Sequence, residues 1–228
     1  MSAIEEKKYL TDKYATSERM TAADLRMITA LLRSPDGCPW DREQTHESVR
    51  ENFIEETYEV VEAIDNRDPV LLCEELGDVL LQVMFHARME EERGSFTFDD
   101  VCNGICRKLI LRHPHVFGDT EVSGTAQVLD NWDAIKQRSK NQTTVTETLE
   151  SVARSLPALM RAEKLLGRAK KAGYLDAAVP DDGDSSLGAR LMRLVLEARE
   201  SGTDAERELY EECDRMTERV RAAEQSAE

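Results

Sequence analysis

The 228-residue chain carries a formal net charge of −16, has 5% aromatic residues and holds five cysteines (Cys38, Cys73, Cys102, Cys106, Cys213) at irregular spacing. That length can bury a core without disulfides, and that charge excludes a broad electrostatic grip on a nucleic-acid polymer or an anionic membrane, both of which need a basic face. No apolar run approaches the roughly 18 residues of a membrane span and no charged-then-apolar leader opens the chain, so the expected location is a reducing cytoplasm.

Proline is scarce, β-branched alternation is nearly absent, and Ala, Leu, Glu, Arg and Met recur at helical spacing, which predicts an all-α fold. Residues 1–19 read as a polar lead-in. A first helix is predicted from Thr21, whose hydroxyl can cap while Asp24 closes a box, to about Arg33, where SPDGCPWD breaks it. The second runs from near Ser48 to Asn66, with Phe53, Val60, Val61 and Ile64 among its apolar positions. NRDP ends it, because proline tolerates a helix start and not an interior. The third spans about Pro69 to Arg93, with Leu72, Leu76, Leu80, Val83 and Met84 inward and Gly94 as its stop, and a fourth covers about Phe98 to Arg112. Connections this short make successive helices antiparallel neighbours. Beyond HPHVFGD a helix is expected around Gln127 to Lys140; the polar NQTTVTE is the candidate linker, and helix resumes from about Leu156. Segments 75–88 and 186–199 match at Leu, Gly, Leu, Ala and Arg, with a glycine turn after each, which leaves duplication and a chance match of leucine-rich helices both open.

The chemistry lies in the second and third helices. Glu56 and Glu59 are three residues apart, as are Glu75 and Asp78, so each pair lies about 60° apart on one helix face. Packed antiparallel across NRDP, the two helices bring four carboxylates to one level. Unpartnered carboxylates in a partly buried site repel and cannot all ionise, and a hard divalent cation resolves the conflict. Mg²⁺ suits oxygen ligands and shared phosphates, with Mn²⁺ a possible substitute, and two ions would also fit four carboxylates. Neither pair contains a histidine, which counts against a di-iron site. A lone Glu-x-x-Glu is usually a solvated helix face; two such pairs flanking one short turn among apolar residues favour a site.

The stretches CPWDREQTHESVRENFIEETYEVVEAI, ELGDVLLQVMFHARMEEERGSFTFDDV, KLILRHPHVFGD and NWDAIKQRSK closely resemble MazG-type nucleoside triphosphate pyrophosphohydrolases over about residues 20–140. The acidic motif of that family is present as Glu55, Glu56, Glu59, Glu75 and Asp78. The resemblance implies an all-α bundle completed by dimerisation or higher homo-oligomerisation. It also implies Mg²⁺-dependent cleavage between the α and β phosphates, with nucleoside monophosphate and pyrophosphate as products, in a broad clearing of unwanted nucleotides. It further implies that Glu56, Glu59, Glu75 and Asp78 ligate metal, while Glu55 either orients water or simply faces its neighbours.

Lys108 and Arg112, four apart, can reach together toward phosphates, and Lys136 is a similar candidate; the alternative is an exposed pair balancing nearby acid. Trp40 and Trp132 can stack on a base or simply pack at bundle edges. Cys102, Cys106, His113 and His115 could be drawn as a zinc site, but thiols at helical spacing are more often small core residues and RHPHVF belongs to the family motif.

SLPALMRAEKLLGRAKKAGYL resembles the segment joining the halves of tandem family members, which favours duplication. Residues 20–142 then form a catalytic repeat and 143–228 a degenerate one, with no second Glu-Glu-x-x-Glu and with Ser186 and Ala189 where the first has Glu75 and Asp78. The second repeat is expected to be catalytically dead. The alternatives are a narrower enzyme acting on dUTP, dCTP or phosphoribosyl-ATP, or a regulatory helical protein that binds nucleotide without turning it over.

Overall fold

The computed structural model describes residues 2–139 and 142–226, which form thirteen helices and, among the described residues, no strand. The all-α expectation is met. By spatial contacts the chain divides into two compact units, Met1–Leu111 and Arg112–Glu228.

The first unit opens with α1 (Ala3–Ala15), where a polar lead-in was expected. Ser2 and Glu5 form a capping box that satisfies its first turn. Leu10 is its buried residue, so no apolar stripe announces the helix. Its Lys13 reaches Asp24 Oδ2 at 2.8 Å, and that carboxylate also accepts from the Thr21 backbone and hydroxyl. α2 (Ala22–Leu32) starts on the expected Thr21 cap, and α3 (Pro39–Glu43) is a single turn within the segment expected to break the helix.

α4 (Arg50–Asp65) and α5 (Pro69–Arg93) pack against each other more extensively than any other pair, and α2 also packs on α5. Their tight connection has two causes. Arg67 adopts a left-handed backbone with φ of 55°, and Asp68 caps α5 by accepting from Val70 N at 2.9 Å and Leu71 N at 3.1 Å, just ahead of Pro69. Gly94, at φ 72°, ends α5 in the left-handed region that glycine enters without a Cβ penalty. Val49, Phe85 and Met89 form the buried apolar cluster. Arg33 lies over the Phe85 ring at 5.2 Å and pairs with Glu92 at 2.9 Å, tying α2 to α5. One inward expectation is corrected here: Met84 is buried, but Leu76 is 51% and Leu80 38% exposed. The buried place near Leu76 goes to Glu75, about 100° round the helix. α6 (Phe98–Arg112) follows and buries no residue of its own.

The second unit contains α7 (Pro114–Phe117), α8 (Thr125–Ser139), α9 (Val145–Glu150), α10 (Ala158–Lys171), α11 (Leu175–Ala178), α12 (Leu187–Ser201) and α13 (Ala205–Ser226). Lys140 and Asn141, at the expected helix end and linker start, lie outside the described residues. The rest of the expected linker is partly structured, since Thr144 and Glu147 form a capping box that opens α9. α10 is the hub, packing on α9, α11, α12 and α13. Leu166, Ala169 and Val195 are each 1% exposed. Gly167 admits the Arg199 guanidinium, within 3.0 Å of where a Cβ would stand, and Arg199 pairs with Glu163. α12 ends as α5 does, on a left-handed glycine, Gly202 at φ 76°.

Candidate metal centre on α4 and α5

Glu56 and Glu59 stand on α4, and Glu75 and Asp78 on α5. Helical periodicity puts each pair on one face, and the short connection brings the two faces together. One carboxylate oxygen each from Glu56, Glu75 and Asp78 lie within 4.8 Å of one another. Among the described residues these are the grouped side chains that could hold a metal ion. Glu59 sits against both Glu56 and Glu75. Glu75 is buried at 8% exposure, while Glu56, Glu59 and Asp78 are half-buried.

Such an arrangement is electrostatically costly without a cation. Burial pushes the Glu56 carboxyl above its usual range, and the charges of Asp78 and Glu59 push it further. Burial likewise raises Glu75, followed by the Glu59 charge and a hydrogen bond with Glu59. Both shifts mark carboxylates that repel one another in a partly desolvated cleft. The donor set is all oxygen, contributed by two rigid helices, and fits a hard divalent ion.

The remaining candidates distribute differently. Glu55 is exposed on α4 and contributes only charge repulsion to Glu56. Trp40 is 61% exposed on α3, and Lys108 is exposed on α6. In the second unit the Arg112 guanidinium lies 5.3 Å over the Trp132 ring, and His113 meets that ring edge-on at 4.8 Å. Arg112 Nε and His115 Nδ1 are buried without a hydrogen-bond partner. The Trp132 ring thus carries a cation–π contact from Arg112 and an edge contact from His113. His113 packs edge-on against the Trp132 indole and tilted against the His115 ring at 5.7 Å. Lys136 is half-buried on α8.

The sequence gives no sign of a second polar cluster in the first unit. His46 Nδ1 and His86 Nδ1 are 2.6 Å apart with stacked rings, and His46 Nε2 lies 2.6 Å from Glu90 Oε1. Glu90 also accepts from Arg93 at 2.7 Å, and its carboxyl is drawn down to about 2, first by its bond to His46. The two histidines are 40 residues apart, so no local spacing signals their contact.

Comparison with known proteins yields one matching family description, the MazG nucleotide pyrophosphohydrolase domain, over residues 44–117. That span contains both carboxylate pairs. An uncharacterized protein of Bacillus subtilis, YabN, is 48% identical over 162 residues, 71% of this chain and 31% of its own length. The nucleoside triphosphate pyrophosphohydrolase of Escherichia coli K12 is 45% identical over 152 residues, 65% of this chain and 58% of that protein. An uncharacterized 26.1 kDa protein of Streptomyces cacaoi is 39% identical over 202 residues, 88% of this chain and 82% of its own length. The chain thus spans from under a third to somewhat over half of the first two relatives.

Proposed function

Because the chain belongs to the MazG nucleotide pyrophosphohydrolase family, we propose that it hydrolyses nucleoside triphosphates to nucleoside monophosphate and pyrophosphate, with broad base tolerance. The observation that carries this reading is the convergence of carboxylate oxygens from Glu56, Glu75 and Asp78 within 4.8 Å, drawn from two helices across one short turn.

In this proposal Glu56, Glu59, Glu75 and Asp78 hold Mg²⁺, for which Mn²⁺ can substitute. Such an ion supplies phosphate charge neutralisation and a bound water of lowered pKa. The chain's own contribution is positional. α4 and α5 bring carboxylate oxygens of Glu56, Glu75 and Asp78 within 4.8 Å with Glu59 alongside, and the burial that raises Glu56 and Glu75 makes the empty cluster unfavourable and a cation-bound one favourable. Glu55, exposed beside the cluster, orients water at its edge at most. Lys108, Arg112 and Lys136 serve the phosphates and Trp40 or Trp132 the base. Of these assignments the Trp132 one has the weakest support, since Arg112 already covers one face of its ring.

The working form is proposed to be a homodimer or higher homo-oligomer in the cytoplasm, with no nucleic-acid polymer or membrane as partner. Among the described residues no helix is long and apolar enough to cross a membrane. Ile54, Tyr58 and Val61 on α4, Leu76 and Leu80 on α5, and Val101, Ile105 and Leu109 on α6 are all more than a third exposed, which suits burial by a second copy. The degenerate-repeat reading of residues 143–228 draws support from α10 packing on α12 as α2 packs on α5, and from the matched left-handed glycine ends of α5 and α12.

The test is a panel of ribo- and deoxynucleoside triphosphates with millimolar Mg²⁺, resolving monophosphate plus pyrophosphate from diphosphate plus phosphate. The first product pair across several bases, abolished by a chelator, is expected. Turnover of dUTP, dCTP or phosphoribosyl-ATP alone would mark a narrower enzyme. Tight nucleotide binding with no product over hours would replace the enzyme by a regulatory binder.

A further inference from the structure

His46, on the segment between α3 and α4, and His86, on α5, take no part in the proposed chemistry. Their Nδ1 atoms are 2.6 Å apart while the ring centroids are 5.0 Å apart, so the two nitrogens face each other between the rings. Such a contact holds one proton: one nitrogen donates and the other accepts. The other ring nitrogen of His46 fixes which is which. Glu90 is ionised, its carboxyl drawn down to about 2, and an ionised carboxylate only accepts. His46 Nε2, 2.6 Å from Glu90 Oε1, therefore carries a proton. In the neutral pair His46 Nδ1 is bare, and His86 Nδ1–H donates to it. One added proton makes a single imidazolium and leaves the bond in place, now charge-assisted. A second makes two imidazoliums with N–H facing N–H, and the contact is lost.

The surroundings suit one positive charge and not two. From α5, Glu90 faces the pair and is already shared with Arg93, which donates to it at 2.7 Å. From the segment of His46 itself, Glu47 feels the charges of His46 and Arg93, but it is exposed, where water screens it. α4 presents a neutral group, the Phe53 ring, 5.6 Å from that of His86.

The pair sits where the chain enters α4. Before it, Arg33 of α2 donates to the carbonyls of Asp41 at 2.6 Å and Gln44 at 3.1 Å. After it, Val49 is buried with Phe85 and Met89. His46 ties the residues between these anchors to α5. Eleven residues separate His86 from Glu75 on α5, which is three turns and about 20° round the same face. Phe53 precedes Glu56 by three residues on α4. The contact thus closes one end of the α4–α5 seam that carries the carboxylates.

We propose that His46 and His86 form an acid-sensitive latch, which fastens the entry of α4 to α5 through one shared proton and opens when both rings are protonated. Opening belongs below the ordinary histidine range, because burial and the His46 charge hold His86 down. The latch is independent of the proposed hydrolysis.

The chain has four histidines, so imidazole ¹⁵N resonance of the full-length protein separates them. A nitrogen–nitrogen coupling across the His46–His86 bond is expected at pH 7.5 and its loss at pH 5. Amide hydrogen exchange over residues 45–53, corrected for its intrinsic pH dependence, is expected to rise about tenfold or more between the same two values. His86→Asn keeps a donor toward His46 and cannot titrate, so its exchange over this segment is expected to change less than about twofold. Circular dichroism shows whether that variant is folded; the coupling in the unmodified protein decides the matter if it is not. Three results would each overturn the latch: no coupling at pH 7.5, coupling that persists at pH 5, or equal acceleration in the unmodified protein and His86→Asn. Acceleration spread evenly over α10 and α12 would do the same, since it marks global unfolding.

Discussion

At the scale of single residues, the carboxylates of α4 and α5 conflict with one another and that conflict is measurable. Replacing Glu75 by Gln removes a charge from a position only 8% exposed. The expected outcome has two opposite parts: hydrolysis falls by about 10²-fold or more, while the metal-free protein melts at a higher temperature near pH 7. A variant that lost activity and stability together would show Glu75 to be a structural residue. His86 provides a second case. Burial first, and the neighbouring His46 charge second, hold its pKa below the ordinary 6.5. It faces His46, with Glu90 behind that ring, Arg93 on Glu90, and the Phe53 ring 5.6 Å away. The unfolded chain then binds more protons than the folded one just below pH 6.5, so this contribution is complete above 6.5 and is lost as pH falls through the folded value. Melting temperatures between pH 7.5 and 5 are expected to decline, and His86→Asn is expected to flatten that slope.

At the scale of elements, the α4–α5 hairpin depends on its turn. Asp68 alone accepts from two orphan amides at the start of α5, so Asp68→Ala should cost about 1 kcal/mol in denaturant unfolding. Gly94→Ala forces a Cβ into a left-handed backbone at φ 72° and should cost about 1 kcal/mol as well. Both lie outside the carboxylate cluster, so turnover at saturating Mg²⁺ should survive each change in the folded fraction. α2, α4, α5 and α6 were legible from the sequence to within two residues because their caps and stops are local: Thr21 with Asp24, Asp68 with Pro69, and Gly94. α1 was not, since its capping box came with one buried residue, Leu10, and its anchor is the distant Lys13–Asp24 pair. Local pattern alone does not reveal a helix fastened by a tertiary ion pair.

At the scale of the whole molecule, the exposed apolar residues of α4, α5 and α6 belong to a proposed contact with a second copy. Ile105 and Leu109 are 42% and 41% exposed and four residues apart on one face of α6. Ile105→Glu/Leu109→Glu should therefore leave the helical content unchanged and shift the particle in sedimentation from a multiple of 25.8 kDa to that mass. A wild-type chain that sediments at 25.8 kDa would remove the contact altogether. The sequence by itself determined the helical class, the hairpin of α4 and α5, and the pairing of acidic residues on one face of each of these helices, because helical periodicity and capping act within a few residues and carboxylates three apart must share a face. Only the tertiary structure decided that Glu75 is buried while Leu76 and Leu80 are exposed, that His46 finds His86, and that Arg112 covers Trp132. Those outcomes depend on how helices distant in sequence rotate against one another, and the free energy that sets the rotation is summed over the whole packed surface rather than written in any one segment.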